Sequence, residues 1–231
     1  MTEMVLLAGE PEYDSQLTMP PLAADIAAGI GARLHVRTPD VLEDTPEFPR
    51  STFGDLGVLD DADLLIIYTR FRNLADEEIE SIAQYLRRGG AVIGVRTATH
   101  AFRLPATSSF AGWGDAFGRD VLGSPWVRHH GHSSSTDVTT VPGRDDLLDG
   151  VPRWFRSRSW LYTVDLAAWA TPLLQGVPVD PETAAEPAPV AWSGFNDGRR
   201  TFVTTLGHPD DFASEPFRAL LRNAARWAVQ A

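Results

Sequence analysis

Residues 63–95 constrain the fold more than any other stretch. Asp63-Leu-Leu-Ile-Ile-Tyr68 and Ala91-Val-Ile-Gly-Val95 are short apolar runs, and Asp76-Glu-Glu-Ile-Glu-Ser-Ile-Ala-Gln-Tyr-Leu86 between them repeats its apolar positions at helical spacing. Acids in the helix's first turn, Arg87-Arg88 in its last and Gly89-Gly90 beyond it match the dipole and C-cap preferences of both ends. Strand, helix, strand in this order implies a parallel pair joined by a right-handed crossover. Met4-Val-Leu-Leu-Ala8, continuous and apolar, reads as another strand buried on both faces. Ligand sites in such sheets lie outside the carboxyl ends of the strands, which here means Gly9 to Ser15, Thr69 to Arg72 and Arg96 to His100.

The remaining elements extend this core. Pro20-Pro21 opens a helix over Leu22–Ile30, since proline suits a first helical turn, and Leu34-His-Val36 is a second strand. The second half carries β-type segments at Asp137–Val141, Ser159–Val164, Pro189–Trp192 and Thr201–Leu206, with Asn196-Asp197-Gly198 as a hairpin signal, so this part of the sheet is expected to be antiparallel. Phe217–Ala228 closes the chain as an amphipathic helix, and the Pro- and Ala-rich stretch Val177 to Pro189 reads as an exposed loop rather than a linker. With 231 residues, 43% of them hydrophobic, one α/β domain over 1–231 is expected.

Charge and composition exclude several classes. The 31 acidic against 20 basic residues leave a net charge of −11, which repels phosphate backbones and anionic lipid, so neither nucleic acid nor membrane is an expected partner. There is no cysteine, hence no disulfide, thiolate metal site or cysteine nucleophile. No stretch approaches the roughly 20 apolar residues needed to cross a bilayer. The start Met-Thr-Glu-Met-Val-Leu-Leu-Ala-Gly lacks the pattern of a signal peptide, and cytoplasmic residence is the expectation.

Histidines mark the chemistry. Five of six (His100, His129, His130, His132 and His208) fall in expected loops, where a rigid scaffold tends to hold functional side chains. His129-His130-Gly131-His132 offers imidazoles as ligands for a divalent metal, although adjacent histidines on extended backbone point apart and the spacing is a weak signal. Otherwise the cluster supplies acid/base groups or hydroxyl contacts. Arg70, Arg72 and Arg96 each follow a strand, either to grip an oxygen-rich ligand or to neutralise loop carboxylates such as Glu10, Glu12 and Asp14. Trp113, Trp126, Trp160 and Trp192 lie in or beside the loops, where aromatic faces suit the C–H surfaces of sugars; core packing is the alternative for each.

Taken together, Gly89-Gly-Ala-Val-Ile-Gly-Val-Arg-Thr-Ala-Thr-His-Ala-Phe102, Phe117-Gly118, His129-His-Gly-His132 and Leu206-Gly-His-Pro209 resemble the ThuA-like (trehalose utilisation) family, as do Glu12-Tyr13-x-Ser15 and Arg70-x-Arg72. The resemblance implies a flavodoxin-like, class I glutamine amidotransferase-like three-layer sandwich, its central sheet mostly parallel with antiparallel additions in the C-terminal half. Arg96 stands where the amidotransferases carry their cysteine, while Thr205-Leu-Gly-His-Pro-Asp210 resembles their His-Pro-acid element, so amidotransferase chemistry is not expected. Thr97 and Thr99 have little to support them as replacement nucleophiles.

The resemblance further implies carbohydrate metabolism on trehalose-like or keto-glycoside substrates, beside a sugar dehydrogenase. His130, His132 and His208 are the acid/base candidates, with Glu12, Tyr13, Arg70, Arg72, Arg96, Thr97, His100 and His129 positioning the sugar. Alternatives are a non-catalytic sugar-binding accessory protein and a metal-dependent hydrolase built on His129, His130 and His132. No Gly-x-Gly-x-x-Gly follows the first strand and no cofactor is expected, though a divalent metal remains open. Exposed aromatics permit a homodimer without requiring one.

Overall fold

The computed structural model describes residues 1–43, 50–130, 134–179 and 186–230, apart from the side chain of residue 115. Among these described residues thirteen strands occur in the order β1 (Thr2–Gly9), β2 (Ala32–Arg37), β3 (Asp40–Glu43), β4 (Arg50–Thr52), β5 (Leu64–Thr69), β6 (Ala91–Val95), β7 (Arg128–His129), β8 (Thr136–Thr140), β9 (Trp154–Ser157), β10 (Tyr162–Thr163), β11 (Thr171–Pro178), β12 (Ala188–Asn196) and β13 (Arg199–Thr204). Helices are α1 (Ser15–Ile30), α2 (Asp76–Arg87), α3 (Trp113–Ala116), α4 (Asp145–Leu148) and α5 (Glu215–Ala228). Nine strands form one sheet in the order β2-β1-β5-β6-β13-β12-β11-β8-β9. Pairing is parallel from β2 through β13 and antiparallel from β13 through β9.

Alternation along the strands divides the apolar residues between two cores. On one face Met4, Leu6, Ala8, Ile66 and Ile93 pack against Leu22 and Ile26 of α1 and Leu220, Leu221 and Ala224 of α5. Val5, Leu7, Leu65, Ile67 and Val92 turn to the other, against Ile79, Ile82 and Leu86 of α2 and Phe102, Phe117 and Leu122 of the segment that follows β6. Helices on both faces are what a continuous apolar strand pattern requires, and the fold is the expected three-layer α/β sandwich.

Local cues failed at three places. Pro20 and Pro21 lie inside α1 rather than at its start. The helix begins a turn and a half earlier because Ser15 is tied to the sheet, its hydroxyl accepting from Glu10 N–H at 2.6 Å and donating to the Tyr68 carbonyl at 3.0 Å. The expected strand Ser159–Val164 is broken, with β9 ending at Ser157 and β10 starting at Tyr162. Thr171–Pro178, whose last two residues overlap the stretch read as a loop, is a sheet strand between β12 and β8, and Leu173 and Leu174 are buried. Asn196 and Arg199 do pair across a two-residue turn, in which Asp197 and Gly198 have φ of 48° and 79°, the left-handed pair a type I′ hairpin needs.

Gly118 shows how tightly the loops stack on this frame: a Cβ there would lie 2.1 Å from the Thr99 carbonyl oxygen and 3.0 Å from that of Ser124. Gly118→Ala is expected to lower unfolding free energy by about 2–3 kcal/mol. Gly29→Ala, exposed on α1 with nothing within 4 Å of the added carbon, should raise it by about 0.5 kcal/mol. Urea denaturation of both variants checks the pair.

Candidate functional site

Three neighbouring parallel strands end at the same edge, and each is followed by a residue held in the left-handed region: Asp14 beyond β1 (φ 49°), Phe71 beyond β5 (φ 46°) and Arg96 beyond β6 (φ 52°). Non-glycine residues adopt this conformation at a cost and tend to cluster where a site dictates the backbone. Because β13 lies parallel to β6, with Thr204 opposite Val95, its exit delivers Thr205 to His208 beside the Arg96 elbow. The loops expected to form the site therefore converge.

Arg96 is at the centre. Its side chain is completely buried, yet its guanidinium faces no carboxylate in an ion pair among the described residues. Instead it donates to the carbonyls of Trp160 (3.0 Å) and Thr205 (2.8 Å) and to the Tyr13 hydroxyl (3.1 Å). It also lies 4.8 Å from the Tyr13 ring centroid and 4.4 Å from that of Tyr162. Carbonyl dipoles and π faces thus replace water around the charge. In this geometry Arg96 links the β1 loop, the segment after β9 and the exit of β13.

Aromatic contacts continue outward. The Tyr13 ring lies 6.3 Å from His208 and 6.4 Å from Trp160, and Trp160 lies 5.4 Å from His129. The His129 strand β7 pairs antiparallel with β10, which brings His129 opposite Tyr162. His100 sits between Phe71 (4.9 Å) and Trp126 (5.3 Å), with Tyr162 at 6.1 Å.

Each expected site residue has a defined place except His132, which lies outside the described residues. His130 follows β7, its amide donating to Leu161 O at 2.8 Å. Arg70 is half-exposed, ion-paired to Glu12 and 3.5 Å from the buried Glu10. Burial raises the Glu10 carboxyl above its ordinary range against the opposing pull of the Tyr13 N–H and Arg70. Arg72 points inward, with Nε and Nη2 donating to Gly9 O at 2.8 and 2.5 Å and Nη1 to the Ser51 hydroxyl at 3.2 Å, so it braces the β1 loop from beneath. The Thr97 hydroxyl is buried without a hydrogen-bond partner among the described residues. Among the described residues no three histidine or acidic side chains gather as a metal site.

His208 is positioned by a buried carboxylate that sequence reasoning missed. Asp211 accepts from the hydroxyls of Ser157 (2.7 Å) and Ser159 (2.6 Å) and from the amides of Arg158 (2.8 Å), Gly207 (3.2 Å) and His208 (3.2 Å). The cap fixes the turn from which the partly buried imidazole projects. Its Nδ1 accepts from Asp210 N–H at 3.2 Å, which leaves the proton of the neutral ring on Nε2. The Asp210 carboxylate is 3.6 Å from the same Nδ1, so a protonated ring has a counter-charge. Burial lowers the His208 pKa all the same. Tyr162 and Phe71 were also missed as site residues, although Tyr162 lay inside the expected strand Ser159–Val164 and Phe71 inside the expected site loop Thr69 to Arg72.

The family model described as ThuA, trehalose utilisation, matches residues 21–228. The chain belongs to the ThuA family. Among solved structures, this ThuA chain is similar to a ThuA-like protein from Parabacteroides merdae ATCC 43184 (TM-score 0.70, 15% identity, 99% of this chain and 90% of that one). A ThuA-like protein from Bacteroides uniformis ATCC 8492 superposes with a TM-score of 0.66 at 15% identity, over 99% of this chain and 91% of that one. The fold also matches part of a β-galactosidase from Bacillus circulans sp. alkalophilus (TM-score 0.60, 10% identity, 98% of this chain and 31% of that one). Comparison of the sequence with curated proteins finds no match. No helix among the described residues is long and apolar enough to cross a membrane.

Two predictions follow from the geometry. Arg96→Ala leaves carbonyl and hydroxyl acceptors unpaired and should lower unfolding free energy by about 3 kcal/mol. Arg96→Gly loses the same contacts but tolerates the 52° φ, so it should be about 1 kcal/mol more stable than the alanine variant in urea denaturation. His100 is held neutral, its pKa lowered to about 3 by burial and then by the charges of Arg70 and Arg96. The unfolded chain protonates this histidine near pH 6.5 and the native state does not, so its contribution to stability is full above that pH and is lost as pH falls toward about 3. Relative to His100→Gln, the wild type should lose up to about 1.4 kcal/mol per pH unit across that window.

Proposed function

We propose that this ThuA protein is a carbohydrate-metabolism enzyme that moves a proton on a trehalose-like or keto-glycoside substrate with histidines as acid and base. The observation that carries the reading is the placement of two imidazoles, His208 and His129, on either side of the Tyr13–Trp160 ring pair. Aromatic faces take the C–H surface of a sugar ring while imidazoles at its two ends reach its oxygens and carbons.

Roles follow from the hydrogen bonds. The neutral tautomer of His208 presents Nε2–H, a donor for a carbonyl or hydroxyl oxygen of the sugar, while Nδ1 is held by the Asp210 N–H. His129, with His130 beside it, then takes the proton from the carbon next to the carbonyl. Glu12 and Arg70 offer a carboxylate and a guanidinium at the rim to grip hydroxyls. Tyr13, whose pKa burial raises, stays a neutral hydroxyl beside the ligand. Arg96 holds the loops and supplies a fixed positive field rather than a nucleophile. A sugar dehydrogenase would supply the keto form, and cytoplasmic residence suits that pairing.

A second reading is a sugar-binding accessory protein without turnover. The elbow that carries the nucleophile in amidotransferases holds Arg96 here, and a related fold makes up part of a β-galactosidase chain.

The deciding experiment incubates the protein with a panel of 3-keto-glycosides that includes 3-keto-trehalose. Turnover by the wild type, lowered at least about 100-fold in kcat/KM by His208→Ala and similarly by His129→Ala, is the expected result. Calorimetric binding with no product on long incubation would establish the accessory reading instead, and turnover indifferent to both variants would sink the histidine mechanism.

A further inference from the structure

A cleft of about 490 Å³ opens beside His100 and is not used by the chemistry above; Phe71, Thr99, His100, Phe102, Arg103 and Trp126 line it. We propose that this cleft is the subsite for a second, uncharged sugar ring, so that the substrate is a disaccharide whose far ring is selected by Trp126. The proposal rests on the proposed function for the identity of the first ring.

Four observations support it. The volume falls in the range of small-molecule sites. Trp126 is 39% exposed although its ring packs 5.3 Å from His100, so part of an anchored indole is open to the cleft. Such a half-covered aromatic face fits the C–H side of a hexose, and Phe71 and Phe102 add apolar wall.

The polar groups fit a hexose as well. The lining holds the Thr99 hydroxyl, the His100 imidazole and the Arg103 guanidinium, whose carbon lies 5.7 Å from the Phe71 centroid. Among the described residues the lining holds no carboxylate, which argues against a cationic occupant. Finally, the cleft is joined to the first site through a run of packed side chains. The His100 ring lies 6.1 Å from Tyr162, whose ring is 4.4 Å from the Arg96 guanidinium, which in turn bonds Tyr13. His100 at the cleft wall is thus packed, through Tyr162 and Arg96, against the residues of the first site.

The test is titration calorimetry of 3-keto-trehalose and methyl 3-keto-α-glucoside, which keep and lack the second ring, against wild type, Trp126→Ala and Trp126→Phe. Trp126→Ala should weaken the disaccharide about tenfold, change the methyl glycoside less than about twofold, and be largely rescued by Trp126→Phe. Equal weakening of both ligands, no weakening of either, or no rescue by phenylalanine overturns the second subsite while the first-site reading stands. Failure of the wild type to bind either ligand overturns both.

Discussion

The geometry of this site depends on one buried cation. Arg96 occupies a left-handed elbow at the end of the central strand β6, and its guanidinium is held by the Trp160 and Thr205 carbonyls, the Tyr13 hydroxyl and two tyrosine rings. A positive charge inside a protein is tolerable only where dipoles and π electrons replace its hydration. Those partners come from the β1 loop, the segment between β9 and β10 and the exit of β13. Satisfying Arg96 therefore fixes the relative positions of every loop that carries Tyr13, Trp160, Tyr162 and His208.

The charge also sets the chemistry of its neighbours. Together with burial it helps keep His100 neutral at physiological pH and contributes to the lowered pKa of His208. A nucleophile in the same elbow would need a base to activate it. An arginine needs none, and in the proposed mechanism the facing histidine acts on a substrate atom directly. Asp211 complements this arrangement from below: saturated by two hydroxyls and three amides, it is a structural cap, and the exposed Asp210 is the carboxylate that faces the His208 ring at 3.6 Å.

Much of this was legible in the sequence, and the remainder was hidden for identifiable reasons. The strand-helix-strand unit over 63–95 was plain because its apolar period and both caps agreed, and the strand ends then located the loops at Gly9, Thr69 and Arg96. α1 was mis-started because Pro20-Pro21 is a strong local cue that a tertiary tie at Ser15 outweighs. β11 was overlooked because Pro172, Gly176 and Pro178 imitate a loop in a strand whose register shifts near Pro172. In the site, the arginines were recognised as a class but not told apart. Only the folded chain turns Arg72 inward to Gly9 and Arg70 outward to Glu12. Asp211 and Tyr162 were missed because nothing in a single sequence distinguishes a carboxylate or phenol that the tertiary fold will bury.

The central claim is that histidines flanking the Tyr13–Trp160 pair exchange a proton on a bound keto sugar. Its most direct test is proton NMR of 3-keto-trehalose incubated with the protein in deuterium oxide. The account predicts loss of signal at a carbon adjacent to the carbonyl, faster than in buffer alone and abolished by His208→Ala. A spectrum in which the sugar binds but every carbon-bound proton is retained at the uncatalysed rate would contradict it.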